Sequence, residues 1–190
     1  VQEHILSPRF GGPVMGGIHD HISGLFLLTY KDRRFTRESA MRVVTRLGRF
    51  VELPEPKKDD NGDEYWTGKQ LYSLIIPDDL SMEYKASICE GCKVCKKADC
   101  EYDAYVIVEN GQLLCGTIDG KSASAFKGQM LSKIIRDYGL DRARQFIDDL
   151  GHIAIGAISN IGFTTGIDDE DIPEDAKREI EARLLQAEND

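Results

Sequence analysis

The chain has 190 residues, 41% of them hydrophobic and 30% charged, with 33 acidic against 24 basic side chains and a formal net charge of -9. That size and apolar share fill one or two small domains, whereas the negative balance repels a phosphate backbone and excludes a free-standing nucleic-acid binder, so any contact with nucleic acid must be local. No run approaches the ~18 consecutive apolar residues of a membrane span, and a start at Val1 with neither an initiator Met nor a signal-peptide pattern predicts a boundary inside a longer polypeptide.

In chain order, Ser7-Pro8-Arg9-Phe10-Gly11-Gly12-Pro13 cannot be helical, because its prolines and glycines restrict or loosen the backbone; it reads as an ordered loop. From Ile18 the apolar positions Ile22, Leu25, Phe26 and Leu28 recur at helical spacing as far as Tyr30. Thr36 is an N-cap candidate for a helix with Ala40, Val43, Val44 and Leu47 on one face, closed by Gly48. Residues 52–64, with Pro54, Pro56 and the run Lys57 to Asp63, read as an exposed loop. Thr67 caps a short helix through Leu71, Leu74 and Ile75, stopped by Pro77. Tyr105 to Val108 and Gln112 to Cys115 flank Asn110-Gly111, which predicts a β-hairpin.

The last third is helical. Met130, Leu131, Ile134, Ile135 and Tyr138 share a face, Gly139 breaks the run, and Asp141 opens a longer helix that keeps the 3.6 period to Ile161. Gly151 and Gly156 suit close approach of a neighbour, and Gly162 ends the helix. After the loop 164–172, Pro173, Glu174 and Asp175 begin a final helix carrying Ala176, Ile180 and Leu184, whose partner is not evident in the sequence.

Four of the five cysteines fall within residues 89–100, as Cys89, Cys92, Cys95 and Cys100, with intervals of two, two and four residues. Clustered thiols fit a reducing, cytoplasmic compartment and a metal better than a disulfide framework. Zinc is the leading ligand: four thiolates around it carry a net charge of -2, which Lys93, Lys96 and Lys97 are placed to offset. A [4Fe–4S] cluster is the second reading, and surface thiols without a metal are the third. Cys115 reads as a small core residue. The acidic run Asp168-Asp169-Glu170-Asp171 invites magnesium, but consecutive acids do not point to one spot, and acids before a helix stabilise its N-terminal dipole. The four histidines have no paired nucleophile.

Three blocks carry a resemblance: Ser7 to Pro13 followed by His19-Asp20-His21-Ile22-Ser23-Gly24; Trp66-Thr67-Gly68-Lys69-Gln70-Leu71 with Leu74 to Pro77; and Gly162-Phe163-Thr164-Thr165-Gly166-Ile167-Asp168-Asp169. In this order they resemble the largest subunit of multisubunit DNA-directed RNA polymerases of the archaeal and eukaryotic type, in archaea the A-prime type. The resemblance implies a pore domain over 1–160, bearing the Cys-rich insertion 89–100, and the start of a funnel domain over 161–190. It implies a nucleotidyltransferase whose magnesium is held by aspartates of a catalytic loop absent from these 190 residues, so that the isolated piece is inactive and no catalytic residue is assigned. The implied partners are the remaining polymerase subunits and the rest of the largest subunit, DNA template, RNA and nucleoside triphosphates, with elongation or cleavage factors at the funnel. Lys121 falls where relatives often carry two adjacent basic residues near the site at which nucleotides enter; here only one is basic. Arg9 likewise faces nucleic acid or the catalytic loop in the family's terms, and His19 replaces a common glutamine.

The fold expected is therefore α+β, with small antiparallel strands, packed helices, a metal-binding insertion and a C-terminal helical extension. Two competing readings stand beside it. One is a stand-alone zinc-dependent protein-interaction module, and the other a metal-dependent hydrolase built on the acidic run.

Overall fold

The computed structural model describes residues 4–89, 95–126 and 128–189. Helix α1 (Asp20–Thr29) buries Gly24, Leu25, Leu28 and Thr29. It packs against the long helix α5 (Gln129–Ile161), and a Cβ at Gly24 would lie 2.3 Å from the Ala154 carbonyl oxygen, so the two backbones touch there. Helix α2 (Arg37–Val44) starts as expected from Thr36, whose Oγ1 accepts the Ser39 N–H at 3.3 Å. A 3-10 turn, Thr45–Leu47, extends it to Gly48 in the left-handed region at φ 66°. Ala40, Val43, Val44 and Leu47 form the buried face, which is the helical period doing what it predicts.

Two small antiparallel sheets complete the core. The first has the order β1-β3-β2, with β1 (Arg34–Phe35), β2 (Lys57–Lys58) and β3 (Glu64–Thr67). Phe35 lies opposite Trp66 and Lys57 opposite Tyr65. This corrects the reading of 52–64 as loop throughout. Asp59 Oδ1 accepts the N–H groups of both Asn61 and Asp63 at 2.9 Å, building a tight turn that lets Lys57–Lys58 pair with β3. The Trp66 indole N–H donates to the Pro54 carbonyl at 2.7 Å and ties the preceding segment down.

Helix α3 (Gly68–Ser73) follows directly, with Thr67 and Gln70 in a reciprocal capping box. A Cβ on Gly68 would sit 1.7 Å from the Leu28 carbonyl oxygen, so only glycine lets α3 start against α1. The second sheet has the order β4-β5-β6, with β4 (Met82–Lys85), β5 (Tyr105–Glu109) and β6 (Gln112–Cys115). Its hairpin has Asn110 at φ 47° and Gly111 at φ 73°, the left-handed pair that a two-residue turn demands. Strand β4 lay hidden in the sequence. It is four residues long with only Tyr84 fully buried, too short for an alternation to show. Cys115, expected in the core, ends β6 half-buried, its thiol donating to the Tyr105 carbonyl at 3.3 Å.

Helix α4 (Gly120–Ala123) is a single turn, and α5 (Gln129–Ile161) is two helices joined across Gly139, at φ 80° and ψ -179°. The second half of α5 is the spine of the core, burying Ala143, Phe146, Leu150, Ile153, Ala154 and Ala157. Gly156 makes the close approach expected of it, a Cβ there falling 2.8 Å from the Val43 carbonyl oxygen. Gly151 does not, since its nearest neighbour is the His21 ring at an ordinary 3.8 Å. One continuous cluster runs from Leu25 to Ala157. Beyond Gly162, at φ 80°, the chain leaves this core. Among the described side chains of 162–188 only Ala176 is half-buried and the rest are exposed, including those of the final helix α6 (Glu174–Asn189).

Candidate functional site

The opening loop is closed by its own backbone. The Ser7 N–H donates to the Gly12 carbonyl and the Gly11 N–H to the Ser7 carbonyl, both at 2.8 Å, and Leu6 and Pro13 form a β-bridge. Arg9 stands exposed at the tip, its N–H held by Ser7 Oγ at 3.2 Å. The loop rests on the segment that follows α4: the Phe126 N–H donates to the Pro13 carbonyl at 3.0 Å and the Gly17 N–H to the Ala123 carbonyl at 2.8 Å. The Phe10 and Phe126 rings lie 6.1 Å apart, and both are exposed. Phe126 holds φ at 65°, a conformation rare for an aromatic residue and kept here by the two loops bonded around it. The segments carrying the two sequence-predicted basic residues, Arg9 and Lys121, are thus brought into contact.

Lys121 itself lies inside α4. Asp119 caps that turn, its Oδ1 accepting the Lys121 N–H at 2.9 Å, and its Oδ2 accepts the Ser87 N–H at 2.5 Å from the root of the cysteine insertion. Asp119 is 5% exposed, so a carboxylate with these donors fixes α4 against the 86–89 segment. Lys121 is half-buried, and no ion pair involves it among the described residues.

The strongest polar node escaped the sequence reading. Lys69, 7% exposed, reaches Asp103 Oδ2 at 2.8 Å. The same oxygen accepts the Lys31 N–H at 2.9 Å, and Oδ1 accepts the Gly116 N–H at 2.7 Å. Asp103 adopts φ 49° to do this. One carboxylate thereby ties the ends of α1 and β6 and the start of α3 to the exit of the cysteine insertion. Nothing periodic announces Asp103, because its partners come from three distant segments. Asp119 had a legible signal in Asp-Gly-Lys-Ser, an N-cap residue with a hydroxyl three positions on.

The cysteine insertion grows from the β4–β5 connection, whose base is closed by the Ala86 N–H donating to the Ala104 carbonyl at 2.9 Å. Cys92 and Lys93 lie outside the described residues. Cys89, Cys95 and Cys100 line one recess of about 90 Å³ together with Lys96, Glu101, Tyr102 and Tyr105. Cys89 is buried, Cys100 half-buried and Cys95 exposed. Among the described residues no three side chains are drawn together closely enough to form a metal-binding group, so the thiols share a recess without converging in it. Lys96 pairs with Glu101 at 3.3 Å, and Lys97 pairs with Glu83 at 3.3 Å, its Nζ 5.6 Å from the Tyr105 ring centroid. Two of the three lysines expected to balance thiolate charge therefore already have carboxylate partners.

The acidic run 168–171 forms an exposed 3-10 turn, Ile167–Glu170, in which Asp169 Oδ2 accepts the Gly166 N–H at 2.7 Å. That is a capping role, and the described carboxylates there form no metal-binding group. Among the described residues no helix is long and apolar enough to cross a membrane.

An α+β core carrying these three sequence blocks on α1, α3 and the exit from α5 defines a segment of a multisubunit RNA polymerase. Residues 4–170 match the family described as RNA polymerase Rpb1, domain 3, and the chain belongs to that family. The DNA-directed RNA polymerase subunit Rpo1N of Methanothermobacter thermautotrophicus (strain Delta H) is 50% identical over 188 residues, covering 99% of this chain and 21% of that subunit. The subunit of the same name from Methanocaldococcus jannaschii is 47% identical over 188 residues, covering 99% of this chain and 14% of the relative. That of Methanococcus vannielii is 43% identical over 190 residues, covering 100% and 21%. The chain thus spans about a fifth or less of these relatives' length.

Proposed function

We propose that this chain forms a wall of the pore, or secondary channel, in the largest subunit of a cytoplasmic DNA-directed RNA polymerase, where nucleotides enter and backtracked RNA leaves. In this reading residues 1–160 are the pore domain and 161–190 begin the funnel. Magnesium and the template-directed chemistry belong to aspartates outside these residues, and the isolated chain is inactive. Its partners are the other polymerase subunits, DNA, RNA and nucleoside triphosphates, with elongation or cleavage factors on the funnel side. Zinc is held by the cysteine insertion.

The observation that carries the reading is the contact between the segments that bear Arg9 and Lys121. Arg9, exposed on the opening turn, and Lys121, on α4 and without an ion-pair partner among the described residues, come from segments hydrogen-bonded to each other. Their surface offers positive charge on a chain that is negative as a whole. This chain's residues would attract a triphosphate electrostatically and leave bond formation to groups elsewhere. Replacing Lys121 by Ala in the assembled polymerase is expected to raise the nucleotide KM by roughly two- to tenfold, the scale of one solvent-screened charge, with kcat unchanged. Arg9→Ala should act in the same direction. Unchanged KM values in both variants, or turnover of nucleotides by the 190-residue chain alone, would refute it.

A further inference from the structure

We infer that the exposed rings of Phe10 and Phe126 form a stacking platform for bases of the single-stranded RNA in the passage, with Arg9 beside them to meet its phosphates. The inference rests on the passage reading above and names where on this chain the RNA makes contact.

The two rings come from segments far apart in the chain and are held together by backbone contacts. Their centroids lie 6.1 Å apart with the planes at 34°, and 54% of Phe10 and 65% of Phe126 is exposed. The Phe126 N–H donates to the Pro13 carbonyl, and a Cβ on Gly16 would fall 2.4 Å from the Ala125 nitrogen, so the loop bearing Phe10 is packed backbone to backbone on the segment bearing Phe126. Phe10 is seated as well. A Cβ on Gly12 would lie 2.6 Å from its Cε2, which sets part of the ring on glycine backbone and leaves the rest open to solvent. Phe126 keeps φ at 65°, so the backbone holds an unfavourable conformation with the ring in the open.

Charge decides what such a platform suits. The chain has 33 acidic residues, yet none falls in 5–19 or 120–126, where Arg9 and Lys121 are the charged side chains. Arg9 is exposed and makes no ion pair among the described residues. Open aromatic faces beside cations and away from acids fit a polyanion that carries flat π-systems: each base stacks on a ring whatever its identity, while the phosphates meet the cations. An acidic polypeptide would satisfy the charge alone. Stacking of this kind tolerates any base, as a wall that RNA of any sequence slides past requires.

The test uses the assembled polymerase halted with its RNA backtracked and thiouridine in the displaced 3′ segment, and follows both cross-linking and the rate at which the complex returns to elongation. Irradiation should join the RNA to the peptides holding Phe10 or Phe126. Phe10→Ala and Phe126→Ala should each speed the return at least about fivefold, the lower scale of one lost base–aromatic stack. Phe126→Tyr should keep the original rate, and Phe126→Leu should match Ala. A rate preserved by Leu, or a benzophenone side chain in place of Phe10 that captures a polypeptide and not RNA, would show that the rings pack on protein and overturns the platform. RNA joined elsewhere on this chain, with rates unmoved by Ala, also overturns it and leaves the passage reading standing. RNA that joins no residue of this chain overturns both. Should a variant fail to fold, the cross-link in the unaltered polymerase decides.

Discussion

Removal of the Asp103 carboxylate is the sharpest perturbation of this core. The pair with Lys69 is 2.8 Å long, with side chains 13% and 9% exposed, and the same carboxylate accepts N–H groups from Lys31 and Gly116. Breaking a buried pair on one side costs about 3–5 kcal/mol, because the remaining charge stays desolvated. Asp32, 3.7 Å from Lys69 and itself largely exposed, is a weak substitute and trims that figure. Asp103→Ala also forces alanine to φ 49°, adding about 1 kcal/mol. Asp103→Asn keeps an acceptor and tolerates that backbone, so it isolates the charge at about 2 kcal/mol. In urea, with a slope of about 2 kcal/mol/M, the midpoint should fall by roughly 2 M for Ala and 1 M for Asn. A double-mutant cycle with Lys69→Met should give a coupling above about 1 kcal/mol. Equal and small losses below about 0.5 kcal/mol in both Asp103 variants would show that the node does not hold the three segments together.

The two glycines with opposite surroundings give a paired comparison by thermal melting. Gly68→Ala drives a Cβ into the Leu28 carbonyl and should cost more than about 3 kcal/mol or prevent folding, whereas Gly139→Ala meets nothing within 4 Å among the described residues and pays only for a φ of 80° with ψ -179°, about 1–3 kcal/mol. Desolvation raises the Tyr72 and Tyr84 hydroxyls well above the usual tyrosine range and takes Tyr138 to about 12. All three are therefore neutral on both sides of the folding equilibrium below about pH 10. Above it the unfolded chain ionises first, so stability is full below pH 10 and is lost as pH rises toward 12; phenolate absorbance should rise in step with unfolding for the buried pair, and early, folded-state titration of Tyr72 or Tyr84 would contradict the burial. Truncation after residue 161 should leave the melting midpoint within about 2 °C, since almost every described side chain beyond it is exposed.

What was legible in the sequence divides along the range of the interactions. Thr36, Thr67, Gly48 and Asn110-Gly111 act on their own neighbours within a few residues, and each appears in the structure as the cap or turn its chemistry implies. The α5 face was readable for the same reason, because a 3.6 period averages over many residues. Strands β2 and β4 were not, being two and four residues long and dependent on partners elsewhere for their hydrogen bonds. The candidate site was harder still. Arg9, Lys121 and the cysteines could be named from their blocks and intervals, but the contact between the segments bearing Arg9 and Lys121 is made by Phe10 and Pro13 against Phe126, and nothing in the spacing pairs Phe126 with the opening loop. Lys69 and Asp103 are 34 positions apart by their numbers in the chain, and a charge in each place reads as a solvated residue until the fold excludes water from both.

The same division of range separates the core from the turns proposed to face the passage. Among the described residues the cluster from Leu25 to Ala157 closes without any contribution from beyond 161. The groups proposed to face the passage sit on short turns at the edge of that core, where a turn such as α4 has too few internal hydrogen bonds to be stable alone. Position must then come from outside each turn. For the opening loop it comes from the Pro13–Phe126 and Gly17–Ala123 bonds, and for α4 from Asp119 reaching to Ser87. An acidic residue is well suited to that task, since one carboxylate accepts from two segments at once and stays soluble in an unfolded chain. The same device recurs at Asp103: where a loop must be fixed without a core of its own, a buried carboxylate supplies the joint, and at α4 that joint also sets the place of Lys121, the side chain proposed to attract phosphate.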